Sequence, residues 1–497
     1  MFVFFFTLLT AFASPMEDVT SLVEGSPRVA GSPGGYQAQA YVLAELQKSG
    51  WSASMKVGPT PGSGFVQACQ PGKGPAFWVL AHTDVVAEES PGAIDNAGSV
   101  AVALEVARRV RRAELPRRAC FGFTDGEELG LHGARYLAKS LPPDEKPEFV
   151  VALEFLGQGQ LTAMGVGERW GVDGLRWLNR LSGVDVPYAY RVYASLFPSR
   201  ERSDHKPFVD AGALGMLLLG RGASGVYWPY HTAKDDLSQV DPNALADAVG
   251  VVMQMLQSGP PPSGADPAIR LPVIPWVMPG FLVWIFVGIG VVSGLMVGFA
   301  SWRIALGGLG WSAAAAVAAG IAVIATGFGR PLYGAMSDLS HWTWWLLTFW
   351  VLLSTPLHRD GIKAGALVCA WLTAGFCAIH PLLAIPWAGM AIACALATRI
   401  WPLFLFVFPF PLYLTSSGLW RELVFHGVLP ADPIWWMPMK CLAMWPVACV
   451  LMALQPLRGK SGHLCFGLIL LMLSSMLFLT EPFSGEFFQR EVLVPPR

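Results

Sequence analysis

Charge is scarce in this chain. Asp, Glu, Lys and Arg make up only 14% of the 497 residues against 53% hydrophobic, a balance that excludes a wholly soluble protein. Neither half carries a basic stripe that could neutralise phosphates, and the net charge is −1, so nucleic acid is not expected as a partner. Cysteine is short where a structural zinc would need it: no CxxC or Cys-His pattern occurs, and only Cys69 and Cys120 lie in the polar half. Those two read as isolated buried thiols, with a disulfide as the alternative in an oxidising compartment. Cys369, Cys377, Cys394, Cys441, Cys449 and Cys465 sit in apolar runs, where a thiol behaves as a small hydrophobe. The apolar half also lacks the row of buried acids or bases that marks an ion path, since Glu422, with Arg421 and His426, falls at a loop. An anchoring or substrate-presenting bundle is the reading of that half.

What is present divides the chain in two. Residues 2–12, FVFFFTLLTAF, form an apolar run followed by a small-x-small site at Ala11-Phe12-Ala13, so 1–15 reads as a signal peptide or an amino-terminal anchor. Residues 16–256 are mixed in composition and hold most of the charge, and the Pro-rich stretch 257–275 reads as an extended linker. From 276 to 481 long apolar runs predict about eight membrane spans, at 277–299, 304–327, 341–357, 364–380, 382–398, 401–419, 432–454 and 463–480. A re-entrant hairpin at His380-Pro381 is the alternative for the fourth and fifth, and 482–497 is a polar tail. With the polar domain outside, inward loops carry Arg303, Arg359, Lys363, Arg399, Arg458 and Lys460, and outward loops only Arg330 and Arg421. This bias predicts a multi-pass protein with its catalytic domain outside the cytoplasm and the lipid bilayer as a partner.

In the polar half, short β-branched and aromatic runs alternate with helical patterns: FWVL before AHTD, ACFGF before TDGEE, FVVAL before EF. The pattern predicts an α/β domain with a mostly parallel, mixed sheet flanked by helices, and ligands at the carboxyl ends of its strands. Arg108, Arg109, Arg111 and Arg112 close a helix where cations suit its dipole.

Five segments at those strand ends carry the chemistry. A centre for two divalent cations needs one bridging carboxylate and further His and carboxylate ligands. His82 with Asp95 and Glu154 supplies one set, and His231 with Asp95 and Glu128 the other. Glu127 and Glu128, adjacent on a turn, can face different directions, so that one binds metal while its neighbour accepts a proton from water, and Asp84 is placed to fix the His82 tautomer. Other acids and histidines read more plainly. Glu88-Glu89 is a solvated loop pair, His132 a helix-surface or packing residue, and Asp204 and His205 part of a pocket wall.

The order HTD (82–84), DNAGS (95–99), DGEELGLHGA (125–134), Glu154 and YHTAKD (230–235) resembles the co-catalytic zinc aminopeptidase family over about residues 20 to 255. The resemblance implies a zinc exopeptidase fold and two Zn2+ ions held by His82, Asp95, Glu128, Glu154 and His231. It further implies Glu127 as general base, Tyr230 as donor to the developing oxyanion, and peptide or protein amino termini as substrate. The family's DNASG stands here as DNAGS, and the fourth ligand is Glu where Asp is commoner. The segment LEFLGQG is similar to the endoplasmic reticulum metallopeptidase subgroup, which joins such a domain to many membrane spans. Two rivals stand beside this expectation: a glutaminyl-peptide cyclase using one zinc, and an inactive binding or transport protein, against which the presence of Glu127 argues.

Overall fold

The computed structural model describes residues 14–186, 188–196, 203–221, 229–270, 276–326, 360–400, 403 and 444–450. The chain divides into two compact units, one reaching to Asp266 and including Arg270–Val277, the other holding Pro267–Ile269 and the chain from Met278.

The first unit is built on eight strands: β1 (Ser54–Lys56), β2 (Phe65–Cys69), β3 (Phe77–His82), β4 (Ala119–Thr124), β5 (Phe149–Glu154), β6 (Gln160–Met164), β7 (Val184–Asp185) and β8 (Leu214–Arg221). They lie in the order β1-β2-β4-β3-β5-β8-β6-β7. The central four, β4-β3-β5-β8, run parallel, while β1 with β2, β2 with β4, and β6 with β8 are antiparallel. The sheet is therefore mixed, with its parallel part in the middle. The sequence explains the division: β3, β4 and β5 are buried at all six positions each, as a strand covered on both faces must be, whereas β1 is partly exposed. From β3 the chain crosses to β4 on one side and then to β5 on the other, and this reversal opens a crevice at the carboxyl ends.

Helices α1 (Pro15–Val23), α2 (Pro33–Lys48), α3 (Gly98–Val110), α4 (His132–Ser140), α5 (Gly171–Arg180), α6 (Tyr188–Leu196), α7 (Lys206–Asp210) and α8 (Pro242–Ser258) complete the unit. Ser14, Ser32 and Asp241 cap α1, α2 and α8, each followed by proline at the first helical position, where no amide hydrogen is missed. Ser14 and Pro15, which the sequence placed with the amino-terminal segment, thus begin the folded domain, and residues 1–13 lie outside the described residues. Arg108 does more than meet a helix dipole. Its side chain is buried and bonds to Asp18 of α1 at 2.6 Å and Glu45 of α2 at 2.9 Å, so α1, α2 and α3 share one charge cluster.

Cys69 and Cys120 face each other across β2 and β4 and are joined by a disulfide, their Cα atoms 4.1 Å apart. This corrects the reading of two free thiols, because strand register, which sequence alone does not supply, brings them together. The Pro-rich segment also differs from expectation. Helix α8 continues to Ser258, and the following residues are tied back by Trp177 donating to Gly259 O at 3.0 Å and the Gly264 amide to Arg169 O at 2.7 Å.

The second unit contains α9 (Gly280–Gly298), α10 (Trp302–Thr326), α11 (Gly361–Ile379) and α12 (Pro381–Ala397). These coincide with four of the eight predicted spans; 341–357, 463–480, all of 401–419 except 403 and all of 432–454 except 444–450 lie outside the described residues. Two described stretches are long and apolar enough to cross a membrane, Gly280–Ala315 and Gly361–Ile379, with Pro381–Ala397 shorter. Helix α9 passes into α10 through one 3₁₀ turn at Phe299–Ser301, so no loop separates the first two predicted spans and Arg303 lies within helix. The charge-bias argument for orientation loses that loop. One face of α9 carries Gly290, Gly294 and Gly298, where an added Cβ would come within 2.6 Å of Ala388, 2.4 Å of Ala366 O and 2.4 Å of Lys363 O. The opposite face exposes Phe281, Trp284, Ile285 and Met296. Small residues against neighbouring backbones, with large apolar ones outward, is how apolar helices pack in lipid.

Candidate metal centre

His82 is the last residue of β3, Glu154 the last of β5, and Glu127 and Glu128 follow β4 after a turn. The parallel register sets His82 beside Thr124, so three of the segments converge at one end of the sheet. Asp95 arrives on the turn Ala93–Ala97 that leads into α3. That turn is held from below: the Asp235 carboxylate accepts the amides of Ile94 at 2.8 Å and Asp95 at 3.1 Å. The DNAGS variant has a steric reason here. A Cβ on Gly98 would meet Leu156 O at 2.0 Å, while the Ser99 hydroxyl accepts the Leu156 amide at 3.3 Å.

The two oxygens of Asp95 face opposite ways. Oδ1 is 3.3 Å from His82 Nε2, and Oδ2 is 3.4 Å from His231 Nε2. His82 Nε2 also lies 3.3 Å from Glu154, and His231 Nε2 lies 3.1 Å from Glu128. Three overlapping groups result, His82/Asp95/Glu154, Asp95/Glu128/His231 and His82/Glu127/Glu128, each with its donor atoms within 4.8 Å. On the far side of the ring, His82 Nδ1 is 3.1 Å from the Asp84 carbonyl. A carbonyl only accepts, so Nδ1 carries its proton and Nε2 presents its lone pair to any cation. The Asp84 carboxylate is buried and accepts the amides of Glu127 at 3.2 Å and Glu128 at 3.1 Å, which fixes that turn relative to His82.

The electrostatics of the site match this crowding. Burial, and then the acids around it, push Glu127 well above the ordinary carboxyl range, and burial with Asp95 nearby raises Glu128 to about 7. Burial works against the charged imidazole of His231, but Asp95 and Glu128 outweigh it and hold the group at about 10. Asp95 itself is also opposed by burial, yet the two histidines hold it well below the usual range. A site that gathers protons in this way offers the same lone pairs to cations. The donor set, imidazole nitrogen and carboxylate oxygen without thiolate, suits zinc and its first-row neighbours.

All seven residues assigned to the metal and proton chemistry by sequence come together. Tyr230 joins them through its ring, which stacks on His231 with centroids 3.5 Å apart and meets Phe155 edge-on at 5.1 Å. Glu88 and Glu89 are exposed, as expected. Sequence reasoning undervalued the segment Ser203-Asp204: Ser203 donates to Glu154 at 2.8 Å, and Asp204, buried and bonded to Thr124, is pushed by burial to about 7. It missed Arg28 altogether, which is buried under the His82 and Asp95 segments. The only signal for Arg28 is a lone cation in a turn dense in glycine and proline, PRVAGSPGG.

Residues 66–256 match the profile of Peptidase family M28. The vacuolar membrane protease of Candida albicans is 28% identical over 201 residues, 39% of this chain and 22% of that protein. Leupeptin-inactivating enzyme 1 of Streptomyces exfoliatus is 29% identical over 255 residues, 46% of this chain and 57% of that protein. The matches thus span about a fifth of the first relative and just over half of the second. Among solved structures, an aminopeptidase from Aneurinibacillus sp. strain AM-1 superposes at a TM-score of 0.40 and 17% identity, over 50% of this chain and 94% of that one.

Proposed function

We propose, from the premise that the chain carries a Peptidase family M28 domain at residues 66–256, that it is a zinc-dependent exopeptidase removing amino-terminal residues from peptides. The observation that carries the reading is the Asp95 carboxylate set between His82 and His231, with Glu154 and Glu128 completing a ligand set on each side. In this reading Asp95 would be shared by two ions, with His82 and Glu154 holding one and His231 and Glu128 the other. Bound zinc lowers the pKa of water toward ~7 and polarises a carbonyl. Glu127, in the group with His82 and Glu128, takes the proton of the attacking water and delivers it to the leaving amine. Asp84 holds the Glu127-Glu128 turn and the His82 tautomer, and Tyr230 donates its hydroxyl to the oxygen that gains charge. Two complete ligand sets and a spare glutamate favour hydrolysis over a single-zinc cyclase or an inert binding module.

The apolar helices of the second unit are read as the bilayer anchor, and the Cys69–Cys120 disulfide supports a catalytic domain in an oxidising compartment outside the cytoplasm. Metal removal and return tests the function. Chelated full-length protein in detergent is expected to be inactive on an unblocked peptide and to recover fully at two zinc equivalents, while Asp95→Asn recovers with neither. Full activity of the chelated protein, or two tight zinc ions in Asp95→Asn, would remove the bridging assignment.

A further inference from the structure

Arg28 is 3% exposed, and among the described residues no carboxylate pairs with its guanidinium. It spends its donors on backbone carbonyls: Nε to Thr83 O at 2.9 Å, Nη1 to Leu22 O at 2.8 Å and Pro91 O at 2.9 Å, and Nη2 to Gly92 O at 2.9 Å. Thr83 stands between His82 and Asp84, and Gly92 caps the turn that carries Asp95. The contact is close, since a Cβ on Gly92 would meet Arg28 Nη2 at 2.7 Å and Asp95 O at 2.5 Å. The backbone around Arg28 reinforces it. Its carbonyl accepts the Val85 amide at 3.1 Å, Val29 bridges to Val85, and the Gly31 amide donates to Asp125 at 3.1 Å, just before the glutamate pair.

A buried cation bonded only to backbone carbonyls is costly unless it serves a geometry. Here that geometry joins the segments that supply His82 and Asp95. We propose that Arg28 is a positioning residue of the metal centre, its planar fork fixing the distance between the His82–Asp84 segment and the Asp95 turn. The inference rests on the two-metal reading above. Lysine offers its donors from one point and cannot span Thr83 O and Gly92 O together, so the requirement is for the fork as well as the charge.

The sign of the effect separates positioning from charge alone. Asp235, Asp95 and Asp84 are the acids that act on Arg28 through space, so Arg28 weakens cation binding electrostatically. If charge were its whole role, Arg28→Met would bind zinc more tightly. If it positions the ligands, zinc binds less tightly. The experiment titrates zinc against a competing chelator in full-length wild type, Arg28→Lys and Arg28→Met, with melting temperature, kcat and KM measured on the same samples. The expected result is folded variants whose zinc affinity falls about 10- to 100-fold, Met more than Lys, with kcat falling and KM moving little. Wild-type affinity or tighter binding in folded variants overturns the proposal. So does failure of both variants to fold with saturating zinc, which would assign Arg28 to stability alone. Wild type that binds no zinc would instead sink the two-metal reading, an outcome distinct from either.

Discussion

Asp95 is flanked by imidazoles on both of its oxygens, and its charge helps His82 and His231 to hold their protons. Burial lifts Asp125, Glu128 and Asp204 to about 7, against an ordinary carboxyl value near ~4. Between those values each binds a proton in the folded chain that the unfolded chain has released, so stability falls as pH rises through that window. His231, held at about 10 against an ordinary ~6.5, adds stability below ~6.5 that is lost as pH rises toward 10. Both trends have the same sign. Chelated protein is expected to melt at progressively lower temperature from pH 6 to pH 8, while the stabilisation gained on adding zinc grows over the same range, because cations replace the protons. Melting curves with and without zinc at three pH values check this; a zinc increment independent of pH contradicts it. The residues of the proposed centre were legible in sequence because each lies in a short, unusual string of residues. Arg28 was not, because its partners are carbonyls, which every residue possesses, and Ser203 was not, because a serine before Asp-His has many plainer uses.

At the level of elements, the apolar runs FWVL, ACFGF and FVVAL marked β3, β4 and β5 correctly, since strands covered on both faces need unbroken hydrophobicity up to their polar last residues. Pairing partners were less visible. The antiparallel register of β2 on β4, which makes the disulfide, depends on contacts between residues 51 apart in sequence. The junction of α9 and α10 misled for another reason: Arg303 after Trp302 has the charge of a loop, yet it continues a helix and lies over the Trp302 ring at 5.3 Å. The glycine face of α9 gives a direct test of how these helices pack. Gly294→Leu drives a side chain into Ala366 O and is expected to destabilise the second unit by about 1–3 kcal/mol, seen as a lower melting temperature in detergent. Gly288→Leu, where nothing lies within 4 Å of an added Cβ, is expected to be near neutral. Equal effects of the two would contradict the packing face.

On the scale of the whole molecule, a charge-bearing α/β unit and an apolar helical unit share one chain, and the shift in composition along the sequence marks the change from one to the other. The chemistry resides in the first unit, at strand ends where the parallel centre of the sheet opens. We propose that this centre hydrolyses peptides from a free amino terminus with Glu127 as base. It is tested most directly by incubating zinc-loaded full-length protein and its Glu127→Gln variant with matched free and amino-terminally acetylated peptides, and identifying products by mass spectrometry. The expected result is stepwise loss of residues from the free peptide only, with Glu127→Gln keeping its zinc and fold but slowed by about 10²- to 10⁴-fold. Wild-type rates in Glu127→Gln, or no cleavage of either peptide by zinc-loaded wild type, would contradict it.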